Sequence, residues 1–488
     1  MKLLEHVCRD ARTVIAERLG LHFSEERLAD LERGLVRALK NASVSDPGEY
    51  LSQLASLPDE SPEWGRLAGE LTVGETYFFR DHACFDALEH HVLPDLIATR
   101  RAKGLFRLRL WSAGCATGEE PYSLAILLDR LLPDRSAWTL TILATDINPK
   151  ALDAARRGVY REWAFRETPS WIRNRYFRPR EAQTFELEPA IRQLVTFAPI
   201  NLVRGCYPTI MTNTTAMDLI LCRNVLMYFS RETQQATVSR LQQAIVDGGW
   251  LAVSPTEASA ELFRPLTCIN LRGAVLFRKG SSGTMPTQAP VHLSSFHPYQ
   301  PEESFPEPTS PAPPEDIHGD TAFISTPETA NRPEPSPDRE SILQHARSLA
   351  DQGQLEKAHD LCQAVLANNR LDAEAHLLLA AISQERGEIS GAFQALRQAI
   401  YLAPECAPAY FLLGSLLIRQ GQQARGRRCM ETVVELLNPS PRDETLPGTG
   451  GLTAGRLLET AQAYLAMADH RGADGLSGAR RTLMEFKT

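Results

Sequence analysis

One stretch of this chain combines small residues with paired acids in an order suited to gripping a ligand: Trp111-Ser112-Ala113-Gly114-Cys115-Ala116-Thr117-Gly118-Glu119-Glu120-Pro121. The pattern predicts a strand, a tight loop, and a helix beginning near Pro121. Small side chains let the backbone approach a bulky ligand. The crevice beyond the carboxyl end of the first strand is where open α/β sheets bind such molecules. A dinucleotide site would show G-x-G-x-x-G with a pyrophosphate at the helix N-terminus. This loop has no such triplet, and Glu119 and Glu120 would repel a phosphate. Two acids suit a cationic amine instead, which favours S-adenosylmethionine over NAD.

Other residues fit around that loop. Ala144-Thr145-Asp146-Ile147-Asn148 ends a second apolar run. An acid there can accept both ribose hydroxyls. Taken alone, Asp146 serves equally well as a helix N-cap ahead of Pro149; beside the first loop it reads as a ribose ligand. Asn201 and Asn224 follow strand-like runs and point into the crevice, where an amide can both donate and accept. A turn position is the plainer role for each. Arg80 follows Tyr77, Phe78 and Phe79. A buried guanidinium needs a partner, and a substrate carboxylate would serve. No metal ligand set is expected, and His82, His90 and His91 read as ordinary residues of a helix.

The elements that must position these groups are legible as alternation. Leu108–Trp111, Thr139–Ala144, Leu194–Phe197, Leu219–Cys222 and Trp250–Val253 read as strands, and 121–132, 149–157 and 231–246 as helices. Such alternation implies a doubly wound, mostly parallel sheet. Leu271–Phe277 is expected to close it as an antiparallel hairpin. Ahead of the sheet, residues 1–75 read as a small helical domain: Leu28, Leu31, Leu35, Val36 and Leu39 keep helical spacing. Ser24 and Asp46 stand at capping positions, the latter before Pro47.

Beyond 280 the composition changes. Residues 281–340 hold thirteen prolines, ten acids and two basic residues. This predicts a disordered linker, with an end-to-end distance of roughly 40 Å or more. Residues 341–440 repeat with a step of 34: Ala346, Ala380 and Gly414; Gly353, Gly387 and Gly421; Ala358, Ala392 and Gly426; Cys362, Leu396 and Met430; Leu366, Ile400 and Val434. The period and its small residues resemble the tetratricopeptide repeat (TPR). The glycines should be left-handed helix ends. Pro404 fits that motif and Arg370 departs from it. A capping helix is expected near 453–467 within a 441–488 tail.

Taken together, Glu75–Asp81, Trp111–Ser123, Ala144–Asn148, Ile200-Asn201-Leu202 and Cys222–Phe229 resemble the CheR family, the chemotaxis-type receptor glutamate O-methyltransferases. The resemblance covers about residues 1–280. It implies a helical N-terminal domain, a Rossmann-like methyltransferase domain over 76–280 and a small β-subdomain inserted at about 163–188. It implies cofactor contacts from Thr76, Arg80, Ala113, Glu119, Asp146, Asn201, Leu202, Asn224 and Val225. A family Asn two residues before Thr76 is Gly74 here. Some relatives grip a receptor-tail peptide with a Gly-rich loop in the insert; Arg178–Phe185 has no glycine, so this chain is expected not to need that peptide. Arg166, Arg173, Arg175, Arg178 and Arg180 either face an acidic receptor bundle or form a solvated face.

The chemistry expected is simple. Glutamate, with an ordinary pKa near 4.3, is ionised roughly 500 to 1 at pH 7. It needs no general base, only alignment with the methyl–sulfur bond. Arg80 is expected to orient the acceptor and Tyr228 to line the same pocket. The partners implied are the cytoplasmic domain of a methyl-accepting chemoreceptor and an unnamed protein docked by the repeats. A scaffold that only senses the cofactor, or an enzyme for another acceptor, are the competing readings. A net charge of −8 argues against nucleic acid. The nine cysteines show no C-x2-C spacing, which suggests reduced thiols in the cytoplasm. No apolar run reaches membrane-spanning length, and the first residues do not read as a signal peptide.

Overall fold

The computed structural model describes residues 5–42, 44, 46–57, 61–72, 74–204, 207–209, 212–271, 273–280, 339–462 and 464–465. The linker expected over 281–340 therefore lies outside the described residues, apart from its last two.

Among the described residues ten strands form two sheets: β1 (Arg107–Ala113), β2 (Thr139–Asp146), β3 (Val159–Arg161), β4 (Phe177–Arg180), β5 (Thr184–Leu187), β6 (Val195–Pro199), β7 (Met217–Leu221), β8 (Ile245–Ala252), β9 (Thr267–Leu271) and β10 (Ala274–Arg278). The large sheet has the order β6-β2-β1-β7-β8-β10-β9. Its first five strands run parallel, and β10 is antiparallel to both its neighbours. The expected doubly wound sheet and its closing hairpin are both present.

Successive strand residues serve opposite layers, as the period of two requires. From β1, Leu108 and Leu110 join one core and Trp111 and Ala113 the other. β7 divides likewise over its last three residues, with Leu219 and Leu221 on one side and Ile220 on the other; an irregularity between Met217 and Leu219 turns Met217 to the Ile220 side.

The second core is completed by four N-terminal helices: α1 (Glu5–Leu19), α2 (Leu28–Ala42), α3 (Pro47–Ser56) and α4 (Pro62–Leu71). Leu31, Leu35 and Leu39 of α2 are buried, as their spacing predicts. Asp46 caps α3 by accepting the Gly48 N–H at 2.9 Å. Ser24 instead precedes a short 3-10 turn and makes no side-chain cap bond.

The first core is covered by α5 (His82–Ala87), α6 (Leu93–Ala102) and α7 (Glu119–Leu131). After β2 comes α8 (Pro149–Arg157). The insert adds α9 (Ser170–Tyr176) and the three-stranded sheet β3-β5-β4, followed by α10 (Pro189–Arg192). The insert thus begins at Val159, a few residues earlier than expected, because three-residue β3 pairs with β5. Its β4–β5 turn places the non-glycine residues Ala182 and Gln183 at φ of 55° and 53°. Helix α11 (Arg231–Ala244) precedes β8.

The repeating region is three helix pairs: α12 (Arg339–Asp351) with α13 (Leu355–Asn368), α14 (Ala373–Glu385) with α15 (Ile389–Leu402), and α16 (Ala407–Arg419) with α17 (Gln423–Leu437). Gly353, Gly387 and Gly421 turn each pair at φ of 78°, 79° and 77°. This is the left-handed conformation that glycine adopts without a Cβ clash. Residues 454–462 are helical, and Leu457, Leu458 and Ala461 pack into the repeat core. The repeats also touch the large sheet. Arg109 of β1 pairs with Glu385 of α14, their side chains 2% and 5% exposed. The same guanidinium donates to the Thr215 carbonyl at 3.1 Å and to Asn213 Oδ1 at 2.7 Å.

At the end of α12, Asp351 has a buried oxygen with no hydrogen-bond partner. Burial pushes its pKa up to about 6, against the pull of Arg347. The folded value lies above the unfolded value of about 3.9, so folding favours the protonated acid. The penalty is absent below about pH 4 and complete above about pH 6. Asp351→Asn should therefore raise the melting temperature at pH 8 and leave it unchanged near pH 4, as followed by calorimetry.

Candidate active site

The β1–α7 loop closes onto the end of β2 through its backbone. Gly114 and Cys115 donate to the Thr145 carbonyl at 2.7 and 2.9 Å, and Ala116 donates to Asp146 Oδ2 at 2.8 Å. Two glycines are required here. Gly114 has φ of 84°, and a Cβ on it would stand 2.3 Å from Val225 Cγ2. Gly118 has φ of 94°, with the Ala155 Cβ 2.8 Å from where its own would be.

The adjoining acids have separate duties. Glu120 accepts from the Ser112 hydroxyl at 2.7 Å and from the Arg223 guanidinium at 3.1 Å. Glu119 is 4% exposed and accepts from the Thr117 hydroxyl at 2.7 Å. Burial raises the Glu119 pKa; the Thr117 bond, its own backbone and Arg166 oppose the rise. A buried carboxylate of this kind gains from a cationic amine. Asp146 is also raised by burial and is held by N–H groups of Asn148, Ala116 and Ile147. The helix cap before Pro149 is Asn148, whose side chain accepts from Lys150 and Ala151. Asp146 is thus not needed as a cap, and each of its oxygens, already accepting one backbone N–H, can accept a further donor.

A single cavity lies over this corner. Its walls include Gly114, Ala116, Asp146, Asn201, Leu202, Asn224, Val225 and Tyr228, with Leu19 and Leu21 arriving from the N-terminal domain and Gly74 from the segment before Thr76. Thr76, Arg80, Ala113 and Glu119 are not among its lining residues. Ala113 is the buried last residue of β1, and Glu119 is the buried first residue of α7. Asn201 lines the cavity with its amide engaged: it donates to the Arg18 carbonyl at 3.0 Å and accepts the Val203 N–H at 2.9 Å. Asn224 takes φ of 58°.

The segment holding Thr76 and Arg80 is pinned from three sides. Phe78 is fully buried, stacked on Phe165 at 5.1 Å and edge-on to Tyr160 and Phe177. Phe79, at φ of 59°, donates its N–H to the Ser123 hydroxyl at 2.9 Å. Arg223 donates to the Arg80 carbonyl and to Asp81. The Arg80 side chain itself bonds the Glu75 carbonyl and lies 5.8 Å from the Tyr77 ring.

A tight glycine loop, an acid at the end of β2 and a buried carboxylate at the start of α7 are a set that S-adenosylmethionine fits. The model for the family "CheR methyltransferase, SAM binding domain" matches residues 74–272. A chemotaxis protein methyltransferase 1 of Pseudomonas aeruginosa is 33% identical over 271 residues, which cover 55% of this chain and 95% of that protein. The chain belongs to the chemotaxis protein methyltransferase family. A probable chemotaxis protein methyltransferase of Rhizobium etli is 32% identical over 241 residues, 49% of this chain and 87% of its own. A probable biofilm formation methyltransferase of P. aeruginosa, WspC, is 28% identical over 429 residues, 87% of this chain and 98% of its own. That last alignment extends well past the catalytic half. As a member of this family the chain is an S-adenosylmethionine-dependent methyltransferase. No helix among the described residues is long and apolar enough to cross a membrane.

Two residues that brace this cavity's walls are not singled out by sequence reasoning. Arg223 lies within the Cys222–Phe229 motif, and its signal is a basic residue ending an apolar strand. Glu257, whose carboxylate accepts the Asn224 and Val225 N–H groups, has a fainter signal, an acid shortly after the fifth parallel strand.

The division of the two acids is testable. Glu119→Gln keeps the shape and removes the charge. Hydrogen bonds to charged groups contribute roughly 1.5–3 kcal/mol. Calorimetric affinity for S-adenosylhomocysteine, which retains the amine, should fall about 10- to 100-fold with little change in melting temperature. Glu120→Gln should instead lower the melting temperature.

Proposed function

We propose that this chain transfers the methyl group of S-adenosylmethionine to glutamate side chains of a chemoreceptor-like signalling protein in the cytoplasm. The observation that supports this reading is the cavity's lining: among the described residues its titratable members are Asp146, tied down by two backbone N–H groups, and Tyr228. A hydroxyl or amine acceptor would need a proton removed; a carboxylate is already ionised at pH 7. The cofactor supplies an electrophilic methyl on a sulfonium. The protein's work is then positioning and exclusion of water.

In this reading Asp146 accepts from the ribose, Glu119 holds the amine, and Asn224, Val225, Asn201, Leu202, Ala113 and Thr76 shape the rest of the cofactor site. Arg80 orients the incoming carboxylate, and Tyr228 lines the acceptor's path. Tyr228 stacks under Arg27, whose guanidinium lies 5.5 Å from its ring, which supports a site shared with the N-terminal domain. The domain division proposed is 1–75, 76–280, a linker over 281–340, three TPR-type repeats over 341–440 and a tail over 441–488. The regular helix pairs support a docking role for the repeats toward a second protein.

The test is transfer of radiolabelled methyl from S-adenosylmethionine to receptor cytoplasmic domains by the full chain. Base-labile label on glutamate is expected; base-stable label, or none on any receptor, overturns the reading. Arg80→Ala should lose about 100-fold in turnover while keeping its fold. Wild-type turnover would remove Arg80 from the account.

A further inference from the structure

The loop that follows β8 returns to the cofactor cavity without lining it. Its Glu257 is 9% exposed and faces backbone rather than solvent. One oxygen accepts the N–H groups of Val225 at 2.7 Å and Met227 at 3.1 Å. The other accepts the N–H groups of Asn224 at 2.8 Å and Ser254 at 3.2 Å, together with the Ser254 hydroxyl. A single carboxylate thus gathers donors from two segments that leave the sheet at β7 and β8.

The conformation it gathers is one the chain does not adopt by default. Asn224 stands at φ of 58°, and Val225 follows at φ of −120° and ψ of −49°. Asn tolerates the left-handed region better than other non-glycine residues, and charge-assisted bonds from its own N–H and its neighbours' hold it there. Asn224, Val225 and Tyr228 all line the cavity. Val225 also abuts Gly114, so its position sets the width of the β1–α7 loop's approach.

We infer that Glu257 is a positioning residue for the methyltransferase site: acting only through the backbone of residues 224–227, it fixes where Asn224, Val225 and Tyr228 meet the cofactor and the acceptor. The inference rests on the assignment of this cavity to S-adenosylmethionine.

Glu257→Gln keeps the size and turns an NH2 toward backbone N–H groups, so at least one pair of bonds is lost. In the full chain, calorimetric affinity for S-adenosylhomocysteine should fall at least about tenfold, and KM for S-adenosylmethionine should rise in step. Glu257→Asp, which keeps the carboxylate, should recover part of both. Wild-type affinity and KM in Glu257→Gln, with only a lowered melting temperature, would overturn the inference. If Glu257→Gln does not fold, Ser254→Ala decides. It removes one donor to the same oxygen and should weaken binding severalfold with a steady melting temperature; unchanged binding would overturn the inference. Failure of the wild-type chain to bind S-adenosylhomocysteine would strike the cavity assignment itself.

Discussion

The site is organised around one buried cation. The Arg223 side chain is 2% exposed and sits where β7 ends, with Glu120 at 3.1 Å and Asp81 at 3.3 Å. A guanidinium so far from water requires carboxylates about it, and removing one would leave an uncompensated charge. Its partners come from the start of α7 and from the segment before α5. Three pieces of chain distant in sequence are therefore locked at one corner of the sheet. The same pairing decides the roles of the neighbouring acids. Glu120 is committed to Arg223, and Glu119 remains buried with a hydroxyl partner, suited to a cationic amine.

Glu257 does the complementary work for the residues that follow Arg223. Glu257 collects backbone N–H groups where Arg223 collects acids, and the two flank the Cys222–Val225 turn. Between them the turn has little freedom. The insert packs the Arg80 segment: Phe78 is enclosed by Tyr160, Phe165 and Phe177, so that segment cannot shift without disturbing the small sheet. Leu19 and Leu21 make the N-terminal region part of the cavity wall.

Much of this was legible in the residues. Strand periodicity, the glycine loop and the 34-residue step are local signals, and local geometry follows them. Asp146 shows where local reasoning stops. Its sequence allows a cap or a ribose ligand, and only the position of Asn148 assigns the cap elsewhere. Asn201 read as an amide aimed at a ligand, yet its bonds go to Arg18 and Val203, because α1 packs against that turn. Arg109 lies between Leu108 and Leu110 and looks like an outward residue of a half-exposed strand. Its burial is set by Glu385, 276 positions later, which no local pattern can reveal. The insert's first strand escaped notice because three residues are too few to show a period.

The account turns on how the buried corner divides its charges between the protein and the cofactor. A crystal structure of the full chain with S-adenosylhomocysteine tests this most directly. It should show the amine against the Glu119 carboxylate, the ribose hydroxyls on Asp146, and Glu120 still paired with Arg223. An amine bound by Glu120 with Arg223 displaced, or an adenosyl group seated away from Asp146 and Asn224, would contradict it.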